Sequence, residues 1–286
     1  MRMIITADWH IRSTKPRCRT DENWIETQKQ ALNQLAQISF DKQSPIMVVG
    51  DIFHSNSDTS FECVNMVQKL ADYVGGIYIL AGNHDLPYHS SENIDKSAIG
   101  VLLQSENVSK IEDYCDEFSA GNFDEERNQM PFMFIHTLTI PNEDKPDFIE
   151  CETPESLLAK NTIAKWIFTG DYHKNFHYEK NGRHVVNSGC LLRQVADMKD
   201  YQCGVYFVDT DDDVVEFIPI IDNHDLVNDD YIIRRDEREE RIEKFVNKLK
   251  DIESISLDFL ANVEKALLSN NIDEDLKLCI EELIEL

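Results

Sequence analysis

The sequence predicts an α/β fold with a largely buried sheet. Short apolar runs, many of them rich in β-branched and aromatic residues, recur along the first three quarters of the chain. Longer segments with helical spacing separate the early runs, and this alternation is typical of α/β folds. The later runs follow one another closely, which predicts that part of the sheet is antiparallel. A content of 42% hydrophobic residues in 286 is enough for a sizeable core.

Eight apolar runs are predicted as strands: 3–6, 46–50, 76–80, 131–136, 165–170, 184–188, 204–209 and 214–220. Residues 24–40 and 59–74 are predicted as helices, because their apolar residues recur every three or four positions. Leu32, Leu35 and their neighbours fall on one face of the first helix. Residues 110–130 are polar and acidic, and they are predicted as a loop or insertion.

The composition changes near residue 225, so we predict a main domain over 1–225 and a helical C-terminal region over 226–286. Residues 234–250 are charged but carry an apolar stripe, as an amphipathic helix does. Two further amphipathic segments, 256–268 and 274–285, follow. This region is expected either to cap the main domain or to bind a partner.

The net charge of −26 argues against general electrostatic attraction to nucleic acid or to anionic membranes. A phosphate-bearing substrate must therefore be attracted locally, by metal ions or by a small basic patch. The seven cysteines have no CxxC spacing and suit reduced thiols. No signal peptide and no membrane-length apolar run is recognised, so we expect a cytoplasmic protein without membrane association.

Acid, amide and histidine side chains stand where five predicted strands end. They are Asp8, His10, Asp51, His54, Asn83, His84, Asp85, His136, Asp171 and His173. Ligands bind beyond the carboxyl ends of strands in open α/β sheets, so these side chains are expected to share one edge. Mixed carboxylate and imidazole ligands predict two divalent metal ions, with Mn preferred and Mg, Fe or Zn as alternatives. Asp51 is the candidate bridging ligand.

Each of these motifs has an ordinary alternative, as a surface pair or a turn. Their occurrence together, in order and at the ends of apolar runs, is what predicts a metal site. The other histidines lack this context and are interpreted as ordinary surface or core residues. They are His89, His177, His184 and His224.

The stretches "ADWHI", "VVGDIFHS", "LAGNHDLP" and "TGDYH", with the strand-end His136 between the last two, resemble the calcineurin-like metallophosphoesterases. Within that family they resemble the nuclease subunit of the SbcCD-type DNA repair and recombination complex, including its bacteriophage relatives. The resemblance covers about residues 1–220, and "NSGCLLRQ" is similar to the family's Pro-Gly-Ser turn. It implies a four-layer α/β/β/α sandwich with a two-metal centre, followed here by a short helical C-terminal region.

Carried over residue by residue, the resemblance implies two metal sites that share Asp51. The first would be held by Asp8, His10, Asp51 and His173, and the second by Asp51, Asn83, His136 and Asp171. His84 would protonate the leaving oxygen or stabilise the transition-state charge. Asp85 would orient the His84 ring, and His54 would contact the phosphate from the other side.

Asp171 departs from the family pattern, which has Gly-His-x-His where this chain has Gly-Asp-x-His. A third carboxylate lowers the net positive charge of the site by one. It would weaken attraction for phosphate and bind the second metal more tightly. Alternatively the side chain is too short to reach, and the second metal is labile. The sequence leaves both alternatives open.

Basic residues cluster just after His10, and another lies near the last predicted turn of the site. They are Arg12, Lys15, Arg17, Arg19 and Arg193. They are predicted to contact DNA phosphates beside the metals. The alternative is a solvated loop with no role in binding.

The leading functional prediction is a metal-dependent phosphodiesterase, acting as an exonuclease or endonuclease subunit of an ATPase-coupled DNA repair or recombination complex. The resemblance also implies an ABC-type ATPase partner with a coiled coil, bound through 226–286, and homodimers are common in the family. One alternative is a stand-alone phosphoesterase for a small or nucleotide substrate. Another is a nuclease-derived interaction protein with a weak catalytic site.

Overall fold

The computed structural model describes residues 1–222 apart from 57–58, 122–129 and 147, together with 226–228, 230, 238–242 and 244–245. The chain divides into two compact units, Met1–Val227 and Asn228–Leu286. Most of the predicted helical region 226–286 lies outside the described residues, as does His224. Within the described part, no helix combines the length and the apolar character that a membrane crossing requires.

The described residues of the first unit form eleven strands and four α-helices. In chain order they are β1 (Arg2–Thr6), α1 (Trp24–Lys42), β2 (Ile46–Val49), α2 (Phe61–Val74), β3 (Ile77–Leu80), α3 (Ala98–Leu102), β4 (Val108–Lys110), β5 (Phe118–Ala120), β6 (Phe132–His136), α4 (Pro154–Lys160), β7 (Trp166–Gly170), β8 (Phe176–Lys180), β9 (Arg183–Asn187), β10 (Gly204–Asp209) and β11 (Val214–Pro219).

The strands form two sheets. The first has the order β11-β10-β1-β2-β3-β4, and the second has the order β5-β6-β7-β9-β8. Strands β1 to β4 are parallel, while β10 and β11 are antiparallel to their neighbours. In the second sheet only β8 is antiparallel. The predicted α/β class and the predicted antiparallel later strands are both confirmed.

The two sheets pack face to face and enclose one of the hydrophobic cores. Side chains alternate between the faces of each strand, so Met3 and Ile5 of β1 point into this core while Ile4 points out. Phe134 and Phe168, from β6 and β7, fill it from the second sheet and stack at 4.7 Å between ring centroids. Burial on both faces explains why these strands read as continuous apolar runs.

Helices cover the outer face of each sheet. Helices α1, α2 and α3 pack on the first sheet, where Leu35 and Val67 are fully buried. On the second sheet, α4 contributes Leu157 to a smaller core with Ile167 and Val185. The four-layer α/β/β/α arrangement is thus confirmed, although α4 alone forms the outer layer on that side among the described residues.

Three strands and two helices were not predicted: β4, β5, β8, α3 and α4. Strands β4 and β5 are three residues long and lie in or beside 110–130, so part of the segment predicted as a loop or insertion is β-strand. Strand β8 is half exposed and carries polar residues. Helix α4 did have a sequence signal, because Thr153 caps its N-terminus and Pro154 follows at the first helical position.

Candidate metal centre

The site lies where the carboxyl ends of strands from both sheets meet. The loops leaving β1 and β2 run side by side: the backbone N–H of Asp8 donates to the Gly50 carbonyl (3.1 Å), and that of His10 donates to the Asp51 carbonyl (3.0 Å). These two loops therefore continue the pairing of their strands beyond the sheet. Their side chains reach the residues that follow β6 and β7.

Four of the site residues have left-handed backbone conformations. The φ angles are 51° at Asp8, 45° at His10, 52° at Asp51 and 81° at Asp171. Such angles are uncommon outside glycine, and each costs on the order of 1–3 kcal/mol. The surrounding fold imposes this strain, and its concentration at the strand ends is typical of a functional site.

Two glycines allow the side chains to approach one another. A Cβ atom at Gly50, whose φ is +89°, would lie 2.1 Å from Nδ1 of His136. A Cβ atom at Gly82 would lie 2.1 Å from Oδ1 of Asp51. Larger residues at either position would displace a predicted metal ligand.

A first cluster consists of Asp8, His10 and His173, whose ligand atoms lie within 4.8 Å of one another. The Nε2 atoms of His10 and His173 face each other at 3.1 Å. Burial lowers the pKa of both rings, and in His10 the neighbouring His173 ring lowers it further. Two neutral imidazoles can share only one proton between these nitrogens, whereas a cation accepts a lone pair from each.

A second cluster consists of Asp8, Asp51 and His136. Nδ1 of His136 lies 2.9 Å from the Val49 carbonyl, while Nε2 lies 3.3 Å from Oδ2 of Asp51. Hydrogen bonding of one ring nitrogen to a backbone carbonyl is the usual way to orient a metal-binding histidine. Burial lowers the pKa of His136, but Asp51 and Asp8 outweigh burial and raise it to about 10, so a cation here competes with a proton.

The Asn83 amide completes the second cluster. It lies 3.0 Å from Nε2 of His136 and 3.1 Å from both carboxylate oxygens of Asp51. With its nitrogen inward the amide donates to Asp51, and with its oxygen inward it offers a further oxygen ligand to a cation.

The charge of the site also fits divalent cations. Asp8 and Asp51 are both fully buried. Burial raises the pKa of Asp8 to about 8; His136 opposes this rise, and the Asp51 and Asp171 charges add to it. Two carboxylates buried side by side are costly unless cations neutralise them. The donor set therefore suits two divalent metal ions, as the sequence predicted.

Asp171 contributes through its backbone as well as its side chain. Its N–H lies 3.1 Å from each oxygen of the Asp8 carboxylate. Its own Oδ1 lies 3.9 Å from Nε2 of His136, beside the second cluster. Ligation by the Asp171 side chain stays a prediction.

Comparison with known proteins bears on this geometry. A family model described as calcineurin-like phosphoesterase matches residues 1–166, more than half of the chain. The chain belongs to the calcineurin-like phosphoesterase family. It is a metal-dependent hydrolase of phosphoesters, and this family normally binds two divalent metal ions.

A comparison with curated protein sequences gives no significant match. Among solved structures, the calcineurin-like chain is similar to an archaeal phosphodiesterase, at 13% identity over 77% of this chain and 99% of that one, with a TM-score of 0.41. It is also similar to a dimetal phosphatase from Danio rerio, at 11% identity over 72% of this chain and 91% of that one, with a TM-score of 0.49. Both identities and both TM-scores are low, so the family is assigned from the match of residues 1–166 to the family model.

Further histidines surround the clusters of this calcineurin-like site. Nδ1 of His84 lies 2.8 Å from the His54 carbonyl, and the backbone N–H of His84 donates to Asp51 Oδ1 at 2.9 Å. The His84 ring centroid is 5.0 Å from that of His10. Nε2 of His54 lies 2.9 Å from Nη1 of Arg12; burial, followed by the Arg12 charge, lowers the pKa of His54 to about 4.

The prediction that Asp85 orients the His84 ring is wrong. The Asp85 carboxylate is buried and accepts the backbone N–H groups of Ile52 (3.1 Å), Phe53 (2.9 Å) and Gly82 (2.9 Å). The His54 carbonyl meets the His84 ring instead. Asp85 therefore joins the loop after β2 to the loop after β3.

The predicted basic cluster is divided by the fold. Arg19 is buried, and its guanidinium donates to both oxygens of Asp21 and of Asp222 at 2.7–2.9 Å. Arg193 is buried beside it and donates to Oδ2 of Asp222 at 3.1 Å. The prediction that Arg19 and Arg193 contact DNA is wrong, because their charges are already paired inside the domain.

The remaining basic residues are closer to the surface. Arg12 is half-buried beside His54, while Lys15 and Arg17 are exposed. Lys15 donates to the Asp21 carbonyl at 2.7 Å, which ties it to the same loop. Contact of these three residues with DNA stays a prediction.

Two residues that hold the site loops were missed. The buried Asn187 amide donates to the carbonyls of Tyr172 (2.6 Å) and Lys174 (2.8 Å), on either side of His173. The Gln194 amide donates to the Trp9 carbonyl at 3.0 Å and to the His10 carbonyl at 3.2 Å. Both lie in "NSGCLLRQ", and the signal that could have identified Asn187 is a polar residue at the end of the apolar run 184–188.

Proposed function

We propose that this chain cleaves DNA phosphodiesters with two divalent metal ions, Mn preferred, as the exonuclease or endonuclease subunit of an ATPase-coupled repair or recombination complex. The observation that carries the hydrolytic part is the position of Asp51 between the two clusters: its Oδ2 lies 3.8 Å from Nε2 of His10 and 3.3 Å from Nε2 of His136. Asp8 is a member of both clusters as well. The DNA part is supported by the sequence resemblance to SbcCD-type nucleases.

The metal ions, when bound, supply charge neutralisation of the phosphoryl oxygens and activation of water. Asp8, His10, Asp51 and His173 would hold the first ion, and Asp51, Asn83, His136 and Asp171 the second. Nδ1 of His84 lies against the His54 carbonyl and would donate to it. With a second proton on Nε2, the ring would protonate the leaving oxygen from that side. Arg12 places a positive charge beside His54, where it would contact a phosphate.

An ABC-type ATPase with a coiled coil would bind through 226–286 and supply the basic DNA-binding surface that a chain of net charge −26 lacks. A homodimer and a cytoplasmic location complete the proposal.

A second candidate is a stand-alone phosphoesterase for nucleotide substrates. The burial of Arg19 and Arg193 favours it, because it leaves fewer cations free to follow a DNA backbone. This candidate predicts full activity without an ATPase and little cleavage of DNA.

One assay separates the two candidates. Linear DNA, hairpin DNA and bis(p-nitrophenyl) phosphate are incubated with Mn and the protein, with and without the ATPase. Wild type is compared with Asp51→Asn, and Asp41→Asn on the exposed face of α1 is the matched control. We expect DNA cleavage that Asp51→Asn abolishes and Asp41→Asn preserves. Cleavage of the ester with intact DNA, in the presence and absence of the ATPase, would overturn the DNA assignment.

A further inference from the structure

A cavity of about 710 Å³ lies beside the second cluster. Asn83 and His136 form part of its wall, and Gly82 lies between the cavity and Asp51. His10 and His173 of the first cluster do not line it. A phosphate held at the clusters would therefore have its substituent on this side directed into the cavity.

The cavity has the size of ligand-binding pockets, which span about 300–1,000 Å³. Its apolar wall comes from the residues after β3 and from α3, and includes Leu86, Ile94, Ile99 and Leu103. Ser90 and Ser91 add hydroxyl groups at the rim. Polar and apolar side chains thus line the cavity in similar numbers, and this mixture suits an uncharged organic group with apolar faces and hydrogen-bonding edges.

The charges around the cavity argue against a second phosphate there. One lysine, Lys110, and two glutamates, Glu92 and Glu112, are among the described residues that line it. Like charges repel, so these two carboxylates disfavour a further phosphate of a nucleic acid backbone. The cavity therefore suits the uncharged part of a phosphoester.

The rim of the cavity is built from a strained segment. Tyr88 and His89 have φ angles of 57° and 53°, two successive non-glycine residues in the left-handed region. Nδ1 of His89 lies 3.1 Å from the Asn83 carbonyl, and His89 lines the cavity. The contact of His89 with the Asn83 carbonyl holds this strained rim against the backbone of a predicted metal ligand.

We propose that this cavity receives the nucleoside attached to the scissile phosphate. The proposal rests on the proposed phosphodiester hydrolysis, and it names the group that the site recognises next to that phosphate. It applies equally to the terminal nucleotide of a DNA strand and to a free nucleotide ester. His89, interpreted from sequence as an ordinary histidine, becomes part of the substrate pocket.

The test compares two esters that release the same p-nitrophenolate with Mn present. In thymidine 5′-(p-nitrophenyl phosphate) a nucleoside remains on the phosphate, whereas in methyl p-nitrophenyl phosphate only a methyl group remains. Ser91→Trp fills the cavity from the 3₁₀ helix 91–96, and Asn93→Trp on the same helix, outside the lining, is the control. Leu103→Phe narrows the cavity from the residue that follows α3, and it replaces Ser91→Trp if that variant unfolds.

For wild type we expect kcat/KM to favour the nucleoside ester by about tenfold or more, as a filled apolar pocket provides. Ser91→Trp should remove this preference with the methyl ester unchanged within about twofold, and Asn93→Trp should retain it. Equal rates for the two esters in wild type, or an intact preference in Ser91→Trp, would overturn the cavity assignment.

A binding measurement separates this proposal from the proposed function. Saturation-transfer NMR detects thymidine itself, which carries no phosphate and needs no hydrolysis. We expect wild type and Asn93→Trp to bind it and Ser91→Trp to lose it. If no ester is cleaved but this binding pattern is observed, the proposal of hydrolysis is overturned and the proposal of a nucleoside pocket is supported. If esters are cleaved but thymidine binds neither wild type nor any variant, the proposal of a nucleoside pocket is overturned and the proposal of hydrolysis is supported.

Discussion

The backbone N–H of Asp171 lies 3.1 Å from each oxygen of the Asp8 carboxylate. The main chain at position 171 therefore fixes the Asp8 carboxylate, which both clusters share, whatever side chain residue 171 carries. The Asp171 side chain points instead toward the second cluster, with Oδ1 3.9 Å from Nε2 of His136. The two contributions can be separated by mutation.

Asp171→Ala should weaken the second metal site while leaving the fold intact. The backbone bond to Asp8 survives the substitution, so the unfolding temperature of the metal-free protein should change little. The Mn concentration for half-maximal activity should rise about tenfold or more, because losing a group at a metal site usually weakens metal affinity by that factor. Asp171→His, which restores the family pattern, should reverse this rise. An unchanged Mn requirement in Asp171→Ala would mean that the carboxylate does not ligate.

His84→Gln should lower kcat by about 10²–10⁴, the usual contribution of a general acid. Mn binding should be unchanged, because the interaction of His84 with Asp51 uses its backbone N–H. The exposed His177→Gln is the matched control. A loss of bound metal in His84→Gln, measured by equilibrium dialysis, would instead make His84 a ligand.

Asp85→Ala should destabilise the domain by about 3 kcal/mol or more, because three buried N–H donors lose their acceptor and each costs about 1–3 kcal/mol. Asp85→Asn should be milder, since the amide oxygen can still accept. Denaturant unfolding of the metal-free protein measures both. A normal unfolding free energy with a large fall in kcat would restore the predicted orienting role.

Alanine substitutions of Arg19 and Arg17 should distinguish an arginine that stabilises the fold from an exposed arginine that can contact DNA. Arg19→Ala leaves the buried Asp21 without its ion-pair partner and Asp222 with Arg193 alone, and we expect a loss of about 3–5 kcal/mol in the free energy of unfolding. Arg17→Ala removes the same charge from an exposed position and should leave the unfolding free energy unchanged. If Arg17 contacts phosphate, its loss weakens DNA binding and flattens the salt dependence. Equal stability of the two variants would contradict the assignment of Arg19.

Titration of His184, which lies away from the metal site, should make the free energy of unfolding depend on pH. Burial lowers the pKa of His184 below its ordinary 6.5, although Asp213 and Glu179 oppose this effect. The unfolded chain then binds the proton more readily, so stability falls as the pH falls through 6.5. His184→Phe keeps the stacking on Trp166, whose ring lies 3.9 Å away. Unfolding temperatures from pH 7.5 to 5.5 should fall less in this variant, and parallel profiles would contradict the assignment.

The buried strands were predictable because they are continuous apolar runs, and the site was predictable because its motifs stand where those runs end. The sequence could not show that β1 to β3 belong to one sheet and β6 to β7 to another. Nor could it show that the carboxyl ends of these strands meet at the site. Strand pairing depends on contacts between distant residues, such as His136 with Gly170. Strand β4, "VSK", is too short for its pattern to identify it.

The sequence also could not show in which direction individual side chains point. Asp85 follows His84 directly, yet its carboxylate points at the backbone of another loop. Arg19 and Arg17 are two residues apart, and only Arg19 turns inward to Asp21 and Asp222. In each case a distant hydrogen-bond partner decides the direction, and sequence spacing carries no information about that partner.

A two-metal centre that shares Asp51 fixes the number of Mn ions that each chain binds. Equilibrium dialysis with elemental analysis at saturating Mn measures this number. We expect two ions in wild type, a single tightly bound ion in His136→Ala, and loss of both high-affinity ions in Asp51→Ala. One ion per wild-type chain, or two ions retained in Asp51→Ala, would contradict a centre bridged by Asp51.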